Sequence, residues 1–181
     1  MFKLLKEVLR VGEATHKYPF APAEVCKDFR GKPEHHADRC IACAACTIAC
    51  PANALSMSTD VKAGTRTWSI FYGQCVFCGR CEEVCPTNAI TLTPEFEMAV
   101  GRKEDLITRA VFKLANCRSC GTPFASAKEV DYVARVLGAY AQSPEEAERI
   151  RRHAEICPEC KRKRDVEQIA QTAVAKQMEI R

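Results

Sequence analysis

The chain has 181 residues, enough for one compact domain or a small core with appendages, and its 47% hydrophobic content excludes a disordered tail. No run of about 18 apolar residues is present, which excludes a helical membrane span. The formal charge is +4 with all thirteen cysteines counted as neutral thiols. Cysteines that bind metal as thiolates would lower that charge, so it is no argument for nucleic-acid binding.

The opening residues, MFKLLKEVLRVG, are interrupted by Lys3, Lys6, Glu7 and Arg10, which a signal-peptide core does not tolerate. Phe2, Leu5, Val8 and Leu9 instead predict one apolar face of a short helix. YPFAPAEV and FRGKPEHH follow, rich in proline and glycine, and cannot build a core alone. Residues 1–37 therefore read as an extended N-terminal docking arm that wraps over a surface. His16, His35 and His36 are expected to be solvated there. Cys26 is expected to be a partly buried free thiol.

Residues 38–101 contain a repeat. CIACAACTIACP from Cys40 recurs as CVFCGRCEEVCP from Cys75, an offset of 35 residues, and PANALSM after the first copy matches PTNAITL after the second. Two copies of one unit related by a pseudo-twofold axis are implied, each a strand, a cysteine loop, a short helix and a second strand. Between the copies, Leu55 and Met57 alternate with polar residues, TDVKAGT supplies a turn at Gly64, and Trp68, Ile70 and Tyr72 alternate on the way out. That pattern predicts a β-hairpin.

Thirteen cysteines without a signal peptide, odd in number and repeatedly spaced C-x-x-C, favour metal over disulfides. In the C-x2-C-x2-C-x3-C-P pattern three thiolates wrap one corner of a cubane, and the fourth ligates the other cluster. The prediction is that Cys40, Cys43, Cys46 and Cys85 hold one [4Fe–4S] cluster and Cys75, Cys78, Cys81 and Cys50 the other. Zinc knuckles are the competing reading, but four-cysteine zinc uses pairs, not triplets with a trailing C-P. Ile41, Ile48, Val76, Phe77, Val84 and Ile90 are expected to supply apolar cover, and Glu82 and Glu83 to face solvent. Potentials of about −400 mV are expected.

Residues 102–181 read as a helical C-terminal unit. Ser126 with Glu129 predicts a capping box leading into Val130, Val133 and Leu137. Ser143-Pro144-Glu145-Glu146 predicts a second helix start, and Val166, Ile169, Ala170 and Ala173 stripe a last helix. Cys117 with Cys120 and Cys157 with Cys160 are two further knuckles separated by 36 residues. Two such pairs suit a structural four-thiolate site for zinc, or for mononuclear iron. His153 has no place in a completed set. No phosphate loop, paired catalytic carboxylates or Ser/His/Asp set is visible, so no catalytic site of its own is expected.

The run FRGKP, the two cysteine motifs with a hairpin between them, and TPEFEMAV after CVFCGRCEEVCPTNAI resemble the eight-iron subunit of respiratory complex I over roughly residues 18–105. The C-terminal knuckles, MFKLLKEVLRVGEATHKYPFAP and KEDLITRAVFKL extend the likeness over almost the whole chain. They resemble the ferredoxin-type iron–sulfur subunits of membrane-bound [NiFe]-hydrogenase complexes, of hydrogenase-4 (its component H) and formate hydrogenlyase type. That resemblance implies an α+β, two-[4Fe–4S] ferredoxin-like core and a relay of electrons between a formate dehydrogenase branch and the hydrogenase small subunit. It also implies partners among the other subunits, including an electron-donor ferredoxin-type subunit, and a cytoplasmic location, peripheral on the inner membrane through the complex. The eight cluster cysteines all match. Ala44 departs from the family, which commonly has the glycine seen here as Gly79. Two other functions compete. A free-standing soluble ferredoxin has no use for the arm. A nucleic-acid-binding zinc ribbon has only KRKR at 161–164 to offer, which reads as the start of a solvated helix.

Overall fold

The computed structural model describes residues 2–13 and 15–179; in its last helix the side chains of residues 173–175, 177 and 179 lie outside the description, Ala173 among them. Helix α1 (Phe2–Val11) comes first and buries none of its residues. Phe2, Leu5, Val8 and Leu9 do share a face, but that face is exposed, Phe2 at 87% and Leu9 at 76%.

Parts of the arm further on touch the rest of the chain. Tyr18 and Phe29 meet Phe96 with ring centroids 5.9 and 6.0 Å apart. The Gly31 and Lys32 N–H groups donate to the carbonyls of Thr93 and Glu95 at 2.9 and 2.6 Å. Glycine is required at that crossing, because a Cβ on Gly31 would lie 2.2 Å from the Glu95 oxygen. Strand β1 (Pro33–His35) then pairs antiparallel with β4 (Ile90–Leu92). The arm as read from the sequence thus ends in a strand of the repeat core.

The hairpin forms as predicted. Strand β2 (Leu55–Asp60) pairs with β3 (Thr65–Phe71), and Trp68, Ile70 and Tyr72 are 1, 2 and 7% exposed. The repeat is therefore closed on itself: the strand after the first copy pairs with the strand before the second, and β1 with β4 completes the reciprocal pair. Short helices α2 (Ala45–Ala49) and α3 (Arg80–Glu83) follow the two cysteine loops.

Residues 102–181 are less separate than their helical signals suggest. They open with strand β5 (Ile107–Asn116), which pairs along the whole of β3, and β6 (Pro123–Ser126) adds a fourth strand. Phe112 of β5 joins Leu55, Trp68, Ile70, Tyr72 and Ile90 in one core. Three helices follow, α4 (Ala127–Gly138), α5 (Pro144–Ala154) and α6 (Pro158–Glu179). The second helix start is as predicted: Ser143 Oγ accepts from the Glu146 N–H at 3.2 Å, with proline in the first turn. The first is not. Ser126 is the N-cap of α4, but its buried hydroxyl has no partner, and Glu129 reaches an arginine of β3 instead. The predicted α6 stripe is exposed at Val166 and Ile169. Among the described residues no helix is long and apolar enough to cross a membrane.

Candidate iron–sulfur and metal sites

Cys46 lies in α2 and Cys50 caps its C-terminus; Cys81 lies in α3 and Cys85 comes two residues after its end. All four thiols line the pockets that the loops enclose. The loops before them turn sharply. Ala42 and Ala44 have φ of 56° and 64°, and Phe77 and Gly79, 35 residues later, have 53° and 82°. Asn53 and Asn88, also 35 apart, both have φ of 50°. Left-handed backbone at alternate loop positions points successive N–H groups into the concavity, the geometry that surrounds anionic sulfur. The Ala42 N–H donates to Cys40 Sγ at 3.4 Å, Ala54 to Cys50 at 3.3 Å and Ala89 to Cys85 at 3.1 Å.

These loops enclose two pockets. One is lined by Cys40, Cys43, Cys46 and Cys85, together with Met57 and Trp68. The other is lined by Cys50, Cys75, Cys78 and Cys81. The fold thus gathers the cysteines in the two predicted sets, each with its fourth thiol from the other copy. The pockets adjoin: Cys81 of the second is part of the buried cluster against which Cys46 of the first packs. Burial pushes the Cys40 thiol up to about 11 and Cys81 to about 12. Buried, closely spaced thiols of this kind become thiolates only with a compensating cation, and the inward N–H groups suit a cluster's anionic sulfur. The residues therefore fit cubane clusters.

The expected apolar cover is uneven. Ile41 and Ile90 are buried and Phe77 and Val84 half-buried, but Ile48 is 86% exposed and Val76 62%. Ile48 sits between Cys46 and Cys50 on a one-turn helix, so with both thiols inward it must face out. Glu83 occupies the equivalent place in the second copy, exposed and paired with Arg80. Glu82 is less free than expected: its carboxylate accepts from the Leu92 N–H at 3.2 Å.

The third cysteine group is tighter. Cys117 directly follows β5, Cys120 lies in the next turn, Cys157 directly precedes α6 and Cys160 lies in its first turn; all four sulfurs lie within 4.8 Å of one another. Cys120 Sγ and Cys157 Sγ are 3.8 Å apart. Metal–sulfur bonds of about 2.3 Å in a tetrahedron put sulfurs about 3.8 Å apart, so the spacing fits. The Cys157 N–H donates to Cys117 Sγ at 3.2 Å and lowers the pKa of that thiol, and Cys160 N–H donates to Cys157 Sγ at 3.4 Å. Gly121, with φ of 75°, lets the first knuckle close. His153 stays outside the group, with Nδ1 3.1 Å from Arg164. Cys26 is exposed, not partly buried.

Several site residues were missed by sequence reasoning. His35 is not solvated: it stacks on Trp68 with centroids 3.8 Å apart, and burial first, then the neighbouring His36 charge, pull its pKa down to about 4. Burial raises the Cys46 thiol. Arg66 Nη1 donates to the Ala42 carbonyl at 3.0 Å, and Arg30 Nη1 to the Cys78 carbonyl at 2.9 Å. An arginine one strand away carries no motif, so only the FRGKP run offered a signal, and only through resemblance.

The chain is similar to known proteins. The family model for the 4Fe-4S dicluster domain matches residues 39–89, the span of both cysteine loops. Formate hydrogenlyase subunit 6 of Escherichia coli (strain K12) is 50% identical over 164 residues, covering 91% of this chain and 90% of that protein. Among solved structures, a chain of the membrane-bound sulfane sulfur reductase, an archaeal respiratory membrane complex, aligns with 59% of this chain and 59% of its own, at 28% identity and a TM-score of 0.43. The chain belongs to the family of formate hydrogenlyase subunit 6, an iron–sulfur family with a 4Fe-4S dicluster domain.

Proposed function

We propose that the chain is an electron-relay subunit that carries electrons through two [4Fe–4S] clusters within a formate hydrogenlyase or hydrogenase-4-like complex. The observation that supports it most is the pair of adjoining pockets, each lined by four cysteines drawn from both copies of the repeat. Cys40, Cys43, Cys46 and Cys85 hold the first cluster, and Cys75, Cys78, Cys81 and Cys50 the second. When bound, each cluster supplies a one-electron redox centre. The chain's own residues orient the thiolates, donate N–H groups to sulfur, and exclude water with Ile41, Leu55, Ile70 and Ile90. Exchanging Cys50 and Cys85 between the copies holds the centres close. No step of bond-making chemistry is assigned to the chain.

Cys117, Cys120, Cys157 and Cys160 hold one structural zinc or mononuclear iron. With four protein thiolates no coordination position is left open for a substrate. The bare apolar face of α1 docks on a neighbouring subunit of the complex. The subunit's partners are the hydrogenase small subunit and an electron-donor ferredoxin-type subunit, and it sits peripherally at the cytoplasmic face through them. The 50% identity to a formate hydrogenlyase subunit supports these assignments. Anaerobic purification of the tagged chain from its own cells tests the reading. About eight iron, eight sulfide and one further metal per chain are expected, with hydrogenase subunits co-purifying. A truncation of residues 1–13 is expected to keep the clusters and lose those subunits. Three zinc ions and no acid-labile sulfide would overturn the cluster assignment; a clustered chain that purifies alone would favour a free-standing ferredoxin.

A further inference from the structure

The outward carbonyls of the two cysteine loops are each tied to a guanidinium, but the two arginines are not equivalent. In the first copy, Arg66 of β3 donates from Nη1 to the Ala42 carbonyl at 3.0 Å, and the same nitrogen is 3.2 Å from Glu129 Oε2 of α4. The two side chains are only 17 and 29% exposed, so this ion pair is partly removed from water. In the second copy, Arg30 of the arm donates to the Cys78 carbonyl at 2.9 Å, packs over Gly79, and makes no ion pair among the described residues. Arg30 is itself exposed.

Reduction adds a negative charge at a buried centre. A guanidinium stays protonated at any working pH, so beside a cluster loop it favours the reduced state. The effect grows as water is excluded and is cancelled when a carboxylate neutralises the cation. We propose that Glu129 masks Arg66 and thereby sets the reduction potential of the cluster held by Cys40, Cys43, Cys46 and Cys85, while Arg30 acts unmasked on the other cluster. Glu129, Arg66 and Arg30 are positioning and charge-setting residues, not ligands. The C-terminal segment is thereby given an electronic role, since it supplies the carboxylate. This inference rests on the cluster assignment above.

The test is an EPR-monitored redox titration of the full-length, cluster-loaded chain. Signals are assigned to the two clusters with Cys43→Ser and Cys78→Ser. At fixed potential, Glu129→Gln is expected to raise the reduced-to-oxidised ratio of the first cluster by about tenfold, equal to about 59 mV for one electron, and to leave the second unchanged. Arg66→Gln is expected to shift the first cluster the opposite way. The double variant restores zero net charge and is expected to return near the wild-type potential, which damage to the fold would not do. Arg30→Gln is expected to lower the ratio for the second cluster alone, by about threefold because water screens it. Shifts of the same sign in Glu129→Gln and Arg66→Gln, a double variant further from wild type than either single one, or an unmoved first cluster would overturn the proposal. In those cases both clusters are still present and the relay reading stands; a chain without acid-labile sulfide would remove both.

Discussion

The two copies of the repeat share a backbone and differ in what covers it. Left-handed residues recur at 42 and 77, 44 and 79, and 53 and 88, and the sulfurs of Cys50 and Cys85 accept from equivalent N–H groups. Outside the loops the likeness ends. The first loop is overlaid by the C-terminal segment: Glu129 reaches Arg66, Lys128 Nζ donates to the Ala37 and Asp38 carbonyls at 2.8 and 2.9 Å, and Ile41 is buried. The second meets Arg30 of the arm, and Val76, the counterpart of Ile41, is 62% exposed. A thiolate cradle is thus a local construction repeated with little change, whereas its electrostatic surroundings come from whichever segment folds over it.

The widest consequence of the comparison is exchange of the fourth cysteine. If the copies share ligands, Cys50→Ser and Cys78→Ser should each halve the iron, from about eight to about four per chain, and remove the same EPR signal. Cys43→Ser should remove the other. Joint loss of one signal in Cys50→Ser and Cys43→Ser would mean that each copy binds its own cluster.

A smaller effect is expected where the C-terminal segment meets the first copy. If the four-cysteine group holds a metal, as proposed, stripping it, or Cys120→Ser, should cost several kcal/mol locally, because metal binding would be folding free energy. Limited proteolysis should then cut beyond Asn116, since β5 stays paired with β3 along its length. Cleavage that begins before Ile107 would show that the strand depends on the metal. Both EPR signals should survive.

His35 sharpens the contrast further, because the Trp68 it stacks on lines the first pocket and not the second. Its pKa is about 4 in the folded chain and 6.5 unfolded. As pH falls below 6.5 the unfolded chain takes up a proton that the folded chain refuses, so stability is present above 6.5 and is lost progressively towards 4. Allowing for its partial exposure, the loss should be about 1–2 kcal/mol between those limits. Anaerobic denaturant titrations at pH 7 and 5 should show a smaller difference for His35→Phe than for the wild type. An equal difference in both would place the pH sensitivity elsewhere.

The smallest effect tests the one departure within the loops. Ala44 caps α2 at φ 64°, where Gly79 caps α3 at 82°. An alanine in left-handed backbone costs roughly 1–2 kcal/mol, so Ala44→Gly should stabilise the chain by about 1 kcal/mol and Gly79→Ala should destabilise it by a similar amount. Equilibrium unfolding reads both. A destabilising Ala44→Gly would mean that the methyl group packs usefully in the first loop.

The cysteine spacing, the 35-residue repeat and the Trp68-Ile70-Tyr72 alternation were legible from the chain because each is a local rule. Spacing sets which thiols share a helix face, and period-two alternation sets which side chains enter the core. The capping motif at Ser143 and the pairing of two C-x-x-C knuckles were equally readable. The strand at residues 107–116 was not: apolar alternation is weak in Ile107–Asn116, and β3 and β6 beside it supply the hydrogen bonds. Ser126 and Glu129 matched a capping pattern, yet Arg66, 63 residues distant, competed for the carboxylate and won. His35 looked polar and lay beside Trp68. What the amino-acid order determined by itself was the cysteine spacing and the two short helices beside which the thiols gather. What only tertiary structure decided was which charges face each set, because electrostatic partners are chosen by distance in space, and distance between segments is fixed only when β1, β3 and β5 find their neighbours.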